Sequence, residues 1–393
     1  MTAETRRHGG AETHRPLDGL RVLDLSRLLP GPYCSRILAN FGAEVIKVEP
    51  PGGGDWLRHV PPLEDGVSIL FRALNRGKKS LTLNLKSEEG RAIFLRLVET
   101  ADVLLEGFRP GVMERLGVGY ERLAWVNPRL IYCALTGYGP RGPYRDRAGH
   151  DLNYIGLAGL LDLTGEREGP PVIPGTQVAD LAGALWAAVG ILLALVARER
   201  TGRGQRVDTS FLGAALACLP MGVARERGGQ PMARGGSDLT GGVVCYQVYE
   251  TADGGYVTLA ALEPHFWAGF CRAVGREDLA GEQFAPAVPG RPAYEALRAL
   301  FRSHTRQEWA ETLEGVDACC EPVHTLAEAL ASAPVQALGM VTAEGLLPPV
   351  RLSGRGERPA GPAPTLGQHT AALLAGLGYT PAEVERLREQ GTV

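Results

Sequence analysis

From Leu20 onward the chain alternates short apolar runs with amphipathic stretches. LRVLDLS is a β-rich run, PGPYCS interrupts it, and SRILANFGAEVIKVE reads as a helix leading into a second strand. SLTLNLK, from Ser80 to Lys86, repeats the strand pattern, and SEEGRAIFLRLVETA predicts an amphipathic helix capped near Ser87. DVLLEGF and LIYCALTGYG supply two further strands. Strands alternating with helices predict an α/β fold: a large domain with a Rossmann-like parallel sheet, helices on both faces, and ligands beyond the carboxyl ends of the strands. The first strand is not followed by Gly-x-Gly-x-x-Gly, and no Gly-x-x-x-x-Gly-Lys-Ser/Thr occurs, which argues against a dinucleotide or P-loop site.

The pattern changes near Arg225. RERGGQPMARGGSDLTGG reads as a Gly-rich connector, and CYQVYETADGGYVTLAAL as a β-hairpin turning at Asp253-Gly254-Gly255. This predicts a second, smaller α+β domain. The expected organisation is a disordered tail over 1–16, the large domain over 17–210, a linker over 211–242, the small domain over 243–312, a linker over 313–340, and a return to the large domain over 341–393. The final segment, TPAEVERLREQG, carries a Thr-x-x-Glu capping signal at Thr380. The longest apolar stretch, Leu181 to Ala197, predicts a helix buried in a large core rather than a membrane span: no second apolar segment accompanies it, and RERTGRGQR follows at once.

Composition narrows the function classes. With 393 residues, 45% apolar and 22% charged, the chain has enough apolar material for two cores. A formal net charge of −3 gives no basic field for a nucleic-acid backbone, so neither DNA nor RNA is expected as a partner. The seven cysteines contain no Cys-x-x-Cys pair and no histidine at zinc-ligand spacing, which reads as reduced thiols and no metal site. The first sixteen residues lack an apolar core of the signal-peptide kind. A cytoplasmic protein with no membrane attachment is the expectation.

Two residues stand out chemically. His150 lies in AGHDLNY, a polar cluster after the LIYCALTGYG strand; it reads equally as a site base and as a residue that caps a helix or satisfies a core hydrogen bond. Asp180 precedes a strongly apolar helix, where a carboxylate serves as an N-cap, as a proton-transfer group, or as both. Lys47, Arg76, Lys78, Lys79, Lys86, Arg109 and Arg115 recur at or after strand ends, where cations meet the phosphates of nucleotide-like ligands or simply face water.

The blocks PLDGLRVLDLSRLLPGPYCSRILANFGAEVIKVEPPGGGDWLR, NRGKKSLTLNLKS, ADVLLEGFRPGVMERLGVG, NPRLIYCALTGYGPRGPY and AGHDLNYIGLAGLL resemble the family III CoA-transferases of the CaiB/BaiF type. Within that superfamily they are most similar to the α-methylacyl-CoA racemases. The resemblance resumes at TGRGQRVDTS, YETADGGYVTLAALEPHFW and LGQHT, and so covers nearly the whole chain. It implies a catalytic histidine at His150, within a motif matched by Gly149, Asp151, Asn153 and Tyr154, and a catalytic aspartate at Asp180. It also implies an assisting glutamate at Glu263, next to a His265 that departs from the family pattern.

Coenzyme A contacts carry over by the same resemblance to Lys47, where a racemase usually has arginine, to Leu83, Asn84, Leu85 and Lys86, and to Gly107, Phe108, Arg109 and Arg115. The resemblance implies an acyl-CoA thioester as substrate, with coenzyme A present only as part of it and no bound cofactor, and an interlocked homodimer. Its leading activity is 2-methylacyl-CoA racemisation through an enolate. The alternative is CoA transfer through an anhydride on Asp180, since transferases typically lack the Gly-His pair.

Overall fold

The computed structural model describes residues 15–343, 345–353 and 361–393. The expected N-terminal tail falls almost wholly outside the described residues. The chain divides into two compact units: residues 1–154, 177–218 and 340–393 form the first, and residues 155–176 and 219–339 the second.

The first unit is built on β1 (Arg21–Asp24), β2 (Glu44–Glu49), β3 (Lys79–Thr82), β4 (Val103–Glu106), β5 (Ile131–Thr136) and β6 (Arg206–Ser210), in the spatial order β3-β2-β1-β4-β5-β6. Every pairing is parallel, with Leu23 of β1 opposite Ile46 of β2 and Leu104 of β4. β4 and β5 are buried along their whole length, as strands covered on both faces must be. Side chains alternate between two cores. Leu23, Ile46, Leu81 and Leu104 meet one layer, and Val22, Val45, Leu105 and Ile131 the other. Strand order reverses between β1 and β4, so their carboxyl ends splay apart and open a crevice.

Helix α1 (Pro30–Asn40) follows β1, and α2 (Glu88–Val98) leads from β3 to β4. Ser87 caps α2, its Oγ accepting the Gly90 N–H at 3.0 Å. α3 (Asp151–Leu157) and α4 (Val178–Thr201) follow β5, and α5 (Phe211–Ala217) follows β6. Near the chain end, the helix Thr370–Gly376 and the Thr380-capped helix Pro381–Glu389 return Leu374, Val384 and Leu387 to the first core.

α4 departs from the sequence expectation. Its small residues Ala184, Ala187, Ala188 and Ala194 pack on the sheet. A Cβ at Gly183 would stand 2.7 Å from Phe211, and one at Gly190 would stand 2.6 Å from Val207. Glycine at these positions therefore lets the helix approach closely. The opposite face leaves Leu185, Trp186, Val189, Leu192, Leu193 and Val196 exposed, a stripe at helical spacing. The helix is thus buried on one side only in the single chain, and by length and composition it is apolar enough to cross a membrane.

The second unit carries an antiparallel sheet. β7 (Tyr246–Glu250) and β8 (Tyr256–Ala260) form the hairpin, with Gly254 in its loop at φ +74°, and β9 (Cys320–Pro322) pairs on the other side of β8. Tyr249, Trp267, Phe270 and Phe301 build its core, Tyr249 stacking on Phe301 at 4.7 Å between ring centroids. The boundaries differ from those expected. Residues 155–176 belong to this unit rather than the large domain, 211–218, which hold α5, belong to the first unit, and 313–340 contain β9 instead of a linker. A strand of three residues is too short for its alternation to be read from sequence.

Candidate active site

Two clefts meet at the crevice of the first unit, one of about 840 Å³ and one of about 710 Å³. They share Ser26 and Arg27 after β1, and Gly107, Phe108 and Arg109 after β4. The larger also holds Gly149, His150, Tyr154 and Asp180, with Arg145 and Arg147 beside them and an apolar wall that includes Leu29, Trp56, Leu70 and Leu74. The smaller runs along Leu83, Asn84, Leu85 and Lys86 to Val112 and Leu116.

His150 is held by its neighbours' backbone contacts. The Tyr154 hydroxyl donates to the Gly149 carbonyl at 2.7 Å, and the Asn153 side-chain oxygen accepts the His150 N–H at 3.0 Å, closing the start of α3. The two glycines are steric requirements. A Cβ at Gly149 would lie 2.7 Å from the Tyr138 hydroxyl and 2.8 Å from the Tyr154 ring, and one at Gly137 would lie 2.6 Å from the Tyr154 hydroxyl. Gly149→Val is therefore expected to destabilise the protein by about 1–3 kcal/mol, the usual range for overpacking, as a lowered Tm in thermal denaturation. The His150 ring is exposed to the cleft and has no hydrogen bond among the described residues.

Asp180 is in the first turn of α4, whose N-cap is Gln177, so it is not itself the cap. Its N–H donates to the Asp151 carboxylate at 3.0 Å. Asp151 is buried and lines neither cleft; its side chain ties the start of α4 to the turn that carries His150. Burial, followed by the negative charge of Asp151, raises the Asp180 carboxyl from its ordinary 3.8 to about 7. A carboxyl poised there is present in both protonation states at neutral pH.

The remaining expected residues divide. Leu83, Asn84, Leu85, Lys86, Gly107, Phe108 and Arg109 line the smaller cleft, whereas Asn153 lines neither. Lys47 differs in setting from the other expected cations: its side chain is 0% exposed, ion-paired with Asp55 at 2.9 Å, and lines neither cleft. Arg115 is exposed and also lines neither cleft. Glu263 belongs to the second unit, where it is exposed at the N-cap of α6 (Pro264–Ala273) without a side-chain capping bond; His265 is the second residue of that helix, its ring against Phe266.

Sequence reasoning missed Arg27, Arg145 and Arg147 in the larger cleft, and Glu106 beneath it. Glu106 ends β4, accepts the Phe108 N–H at 2.7 Å, and is pushed by burial up to about 7. Its position as the last residue of DVLLE, at a strand's carboxyl end, was the available signal.

The mixed α/β fold with this six-stranded parallel sheet matches that of a CaiB/BaiF family protein. The solved structure of a CaiB/BaiF family protein from Brucella suis superposes with a TM-score of 0.81 at 34% identity, covering 93% of this chain and 100% of that one. The chain belongs to CoA-transferase family III, whose profile matches residues 17–370. It is 37% identical to an acyl-CoA transferase of Fusarium pseudograminearum, over 96% of this chain and 88% of that protein. It is 36% identical to the α-methylacyl-CoA racemase of Mus musculus, over 96% of this chain and 97% of that protein. The family comprises enzymes that act on CoA thioesters, as racemases or as CoA-transferases.

Proposed function

We propose that the protein is a 2-methylacyl-CoA racemase that moves the proton alpha to the thioester carbonyl between His150 and Asp180. The observation that carries this reading is that both side chains line one cleft while the Asp180 carboxyl is raised to about 7. Racemisation needs two groups of complementary protonation flanking one carbon. In one direction neutral His150 takes the proton and protonated Asp180 returns one to the opposite face; in the other direction the roles reverse. The thioester itself delocalises the charge, so the proposed reaction uses no bound cofactor and no metal.

The acyl group occupies the apolar wall of the larger cleft in this reading, and the nucleotide portion follows Leu83 to Lys86. Arg27, Lys86 and Arg109 are the cations that line the smaller cleft and are available to its phosphates. Arg109→Ala should raise KM about tenfold or more with kcat largely kept, since a charge-assisted hydrogen bond contributes roughly 1.5–3 kcal/mol. Arg115→Ala should leave KM near that of the wild type in the same steady-state assay. A cytoplasmic homodimer, without membrane or nucleic-acid partners, completes the proposal, with the apolar stripe of α4 covered by the second copy.

The second reading, CoA transfer with Asp180 as nucleophile and an anhydride intermediate, is favoured by relatives such as the Fusarium pseudograminearum acyl-CoA transferase. Incubating the protein with a 2-methylacyl-CoA in deuterated water, with a carboxylic acid acceptor in a parallel reaction, separates the two. Deuterium at the alpha position without acceptor supports racemisation; CoA transfer with no alpha exchange overturns it.

A further inference from the structure

The loop that both clefts share follows β1, and in it Leu28 adopts φ +64°, a left-handed conformation unfavourable for a leucine. Four charged side chains, each 0% exposed, hold the loop, with Asp55 bordering the smaller cleft. Asp24 accepts the Ser26 N–H at 2.9 Å and pairs with Lys78 at 3.2 Å, while Lys78 also donates to the Pro32 carbonyl at 3.0 Å. Lys47 donates to the Ser26 carbonyl at 2.9 Å and pairs with Asp55 at 2.9 Å. The Asp55 carboxylate accepts the Leu28 N–H, with both oxygens at 3.2 Å.

Two buried ion pairs are a poor route to stability, because desolvation offsets most of their attraction and apolar replacements often do as well. What apolar residues cannot do is fix backbone polar groups. These pairs bond four of them, at Ser26 N, Ser26 O and Leu28 N in the loop and at Pro32 O in the first turn of α1. The bonded loop forms a wall of the larger cleft at Leu28 and a wall of both clefts at Ser26 and Arg27.

We propose that Lys47–Asp55 and Lys78–Asp24 are positioning pairs that hold the loop after β1, with its left-handed Leu28, and the first turn of α1 in the form that shapes both clefts. Lys47 acts through Asp55 and the Ser26 carbonyl, not on a ligand phosphate. Only the activity part of the test rests on the CoA-thioester reading.

Asp55→Asn keeps the shape of the side chain and removes its charge; Lys47→Met removes the cation. Hydrogen exchange followed by mass spectrometry on residues 25–33 should show protection reduced by about tenfold or more in Asp55→Asn, the effect of weakening a hydrogen bond to a charged group, with helix α2 unchanged. In turnover, Asp55→Asn and Lys47→Met should lower kcat by similar factors on an acyl-CoA and on the matching acyl-pantetheine, which lacks the nucleotide phosphates. The double variant should be no slower than the slower single variant. Unchanged loop protection in Asp55→Asn overturns the proposal, and so does a Lys47→Met variant whose KM rises for the acyl-CoA but not for the acyl-pantetheine. If Lys47→Met does not fold, Asp55→Asn carries the comparison alone. If the wild type turns over neither thioester, the function reading fails while the exchange result still decides the role of the pairs.

Discussion

His150→Ala and Asp180→Asn should each lower interconversion of R and S 2-methylacyl-CoA on the order of 10²–10⁴-fold, the usual contribution of a positioned general acid or base. Both losses follow from symmetry, because inversion requires a proton to leave one face and another to arrive at the opposite one. Neither change is expected to unfold the protein. The His150 ring makes no hydrogen bond among the described residues, and the bond from Asp180 to Asp151 is made by the backbone N–H, which asparagine retains. Circular dichroism and chiral analysis of the product thioester would establish fold and rate together. If Asp180 acts as a nucleophile instead, Asp180→Asn should abolish CoA transfer while His150→Ala leaves it largely intact.

Rates measured from the two enantiomers should follow one pH profile, because both directions use the His150–Asp180 pair carrying a single transferable proton. When His150 is the base, Asp180 must carry that proton, so the rate should fall about tenfold per pH unit above the Asp180 pKa of about 7. When Asp180 is the base, His150 must carry it instead, and loss of the shared proton lowers the rate from the other enantiomer in the same way. Stability carries the same signature. A carboxyl whose folded pKa exceeds its unfolded value takes up a proton on folding, so its unfavourable contribution is absent below the ordinary 3.8 and grows until about 7. Asp180→Asn should therefore be more stable than the wild type at pH 8, with the advantage shrinking toward pH 4, as read from denaturant midpoints. A rate that stays flat above pH 7, or no stability gain at pH 8, would show that Asp180 titrates in its ordinary range.

Much of the first unit was legible because its strands are short apolar runs between amphipathic helices, and because Ser87, Thr380 and the loop around Gly254 carry local signals whose physics is confined to a few residues. His150 drew attention for a related reason, as a polar cluster after a strand. The residues misjudged are those whose environment is made by distant chain. A lysine at a strand end reads the same whether it meets a phosphate or, as at Lys47, a carboxylate eight positions onward. The polar or apolar company of α4 was equally hidden: its composition is apolar all round, and only the fold reveals that alanines and glycines face the sheet while Leu193 and Val196 do not. Glu106 escaped because a glutamate ending a strand is usually solvated, whereas here Phe108 and Tyr132 enclose it.

Deuterium exchange measured separately on the R and S thioesters, with the wild type, His150→Ala and Asp180→Asn, tests the two-base assignment most directly. In the wild type both enantiomers should take up deuterium at the alpha carbon and interconvert. Each variant should lose interconversion yet keep exchange on the single enantiomer that faces its remaining base, and the two variants should keep opposite enantiomers. Loss of exchange on both enantiomers in Asp180→Asn, with His150→Ala unaffected and a hydroxylamine-sensitive acyl adduct on Asp180, would contradict proton transfer between these residues.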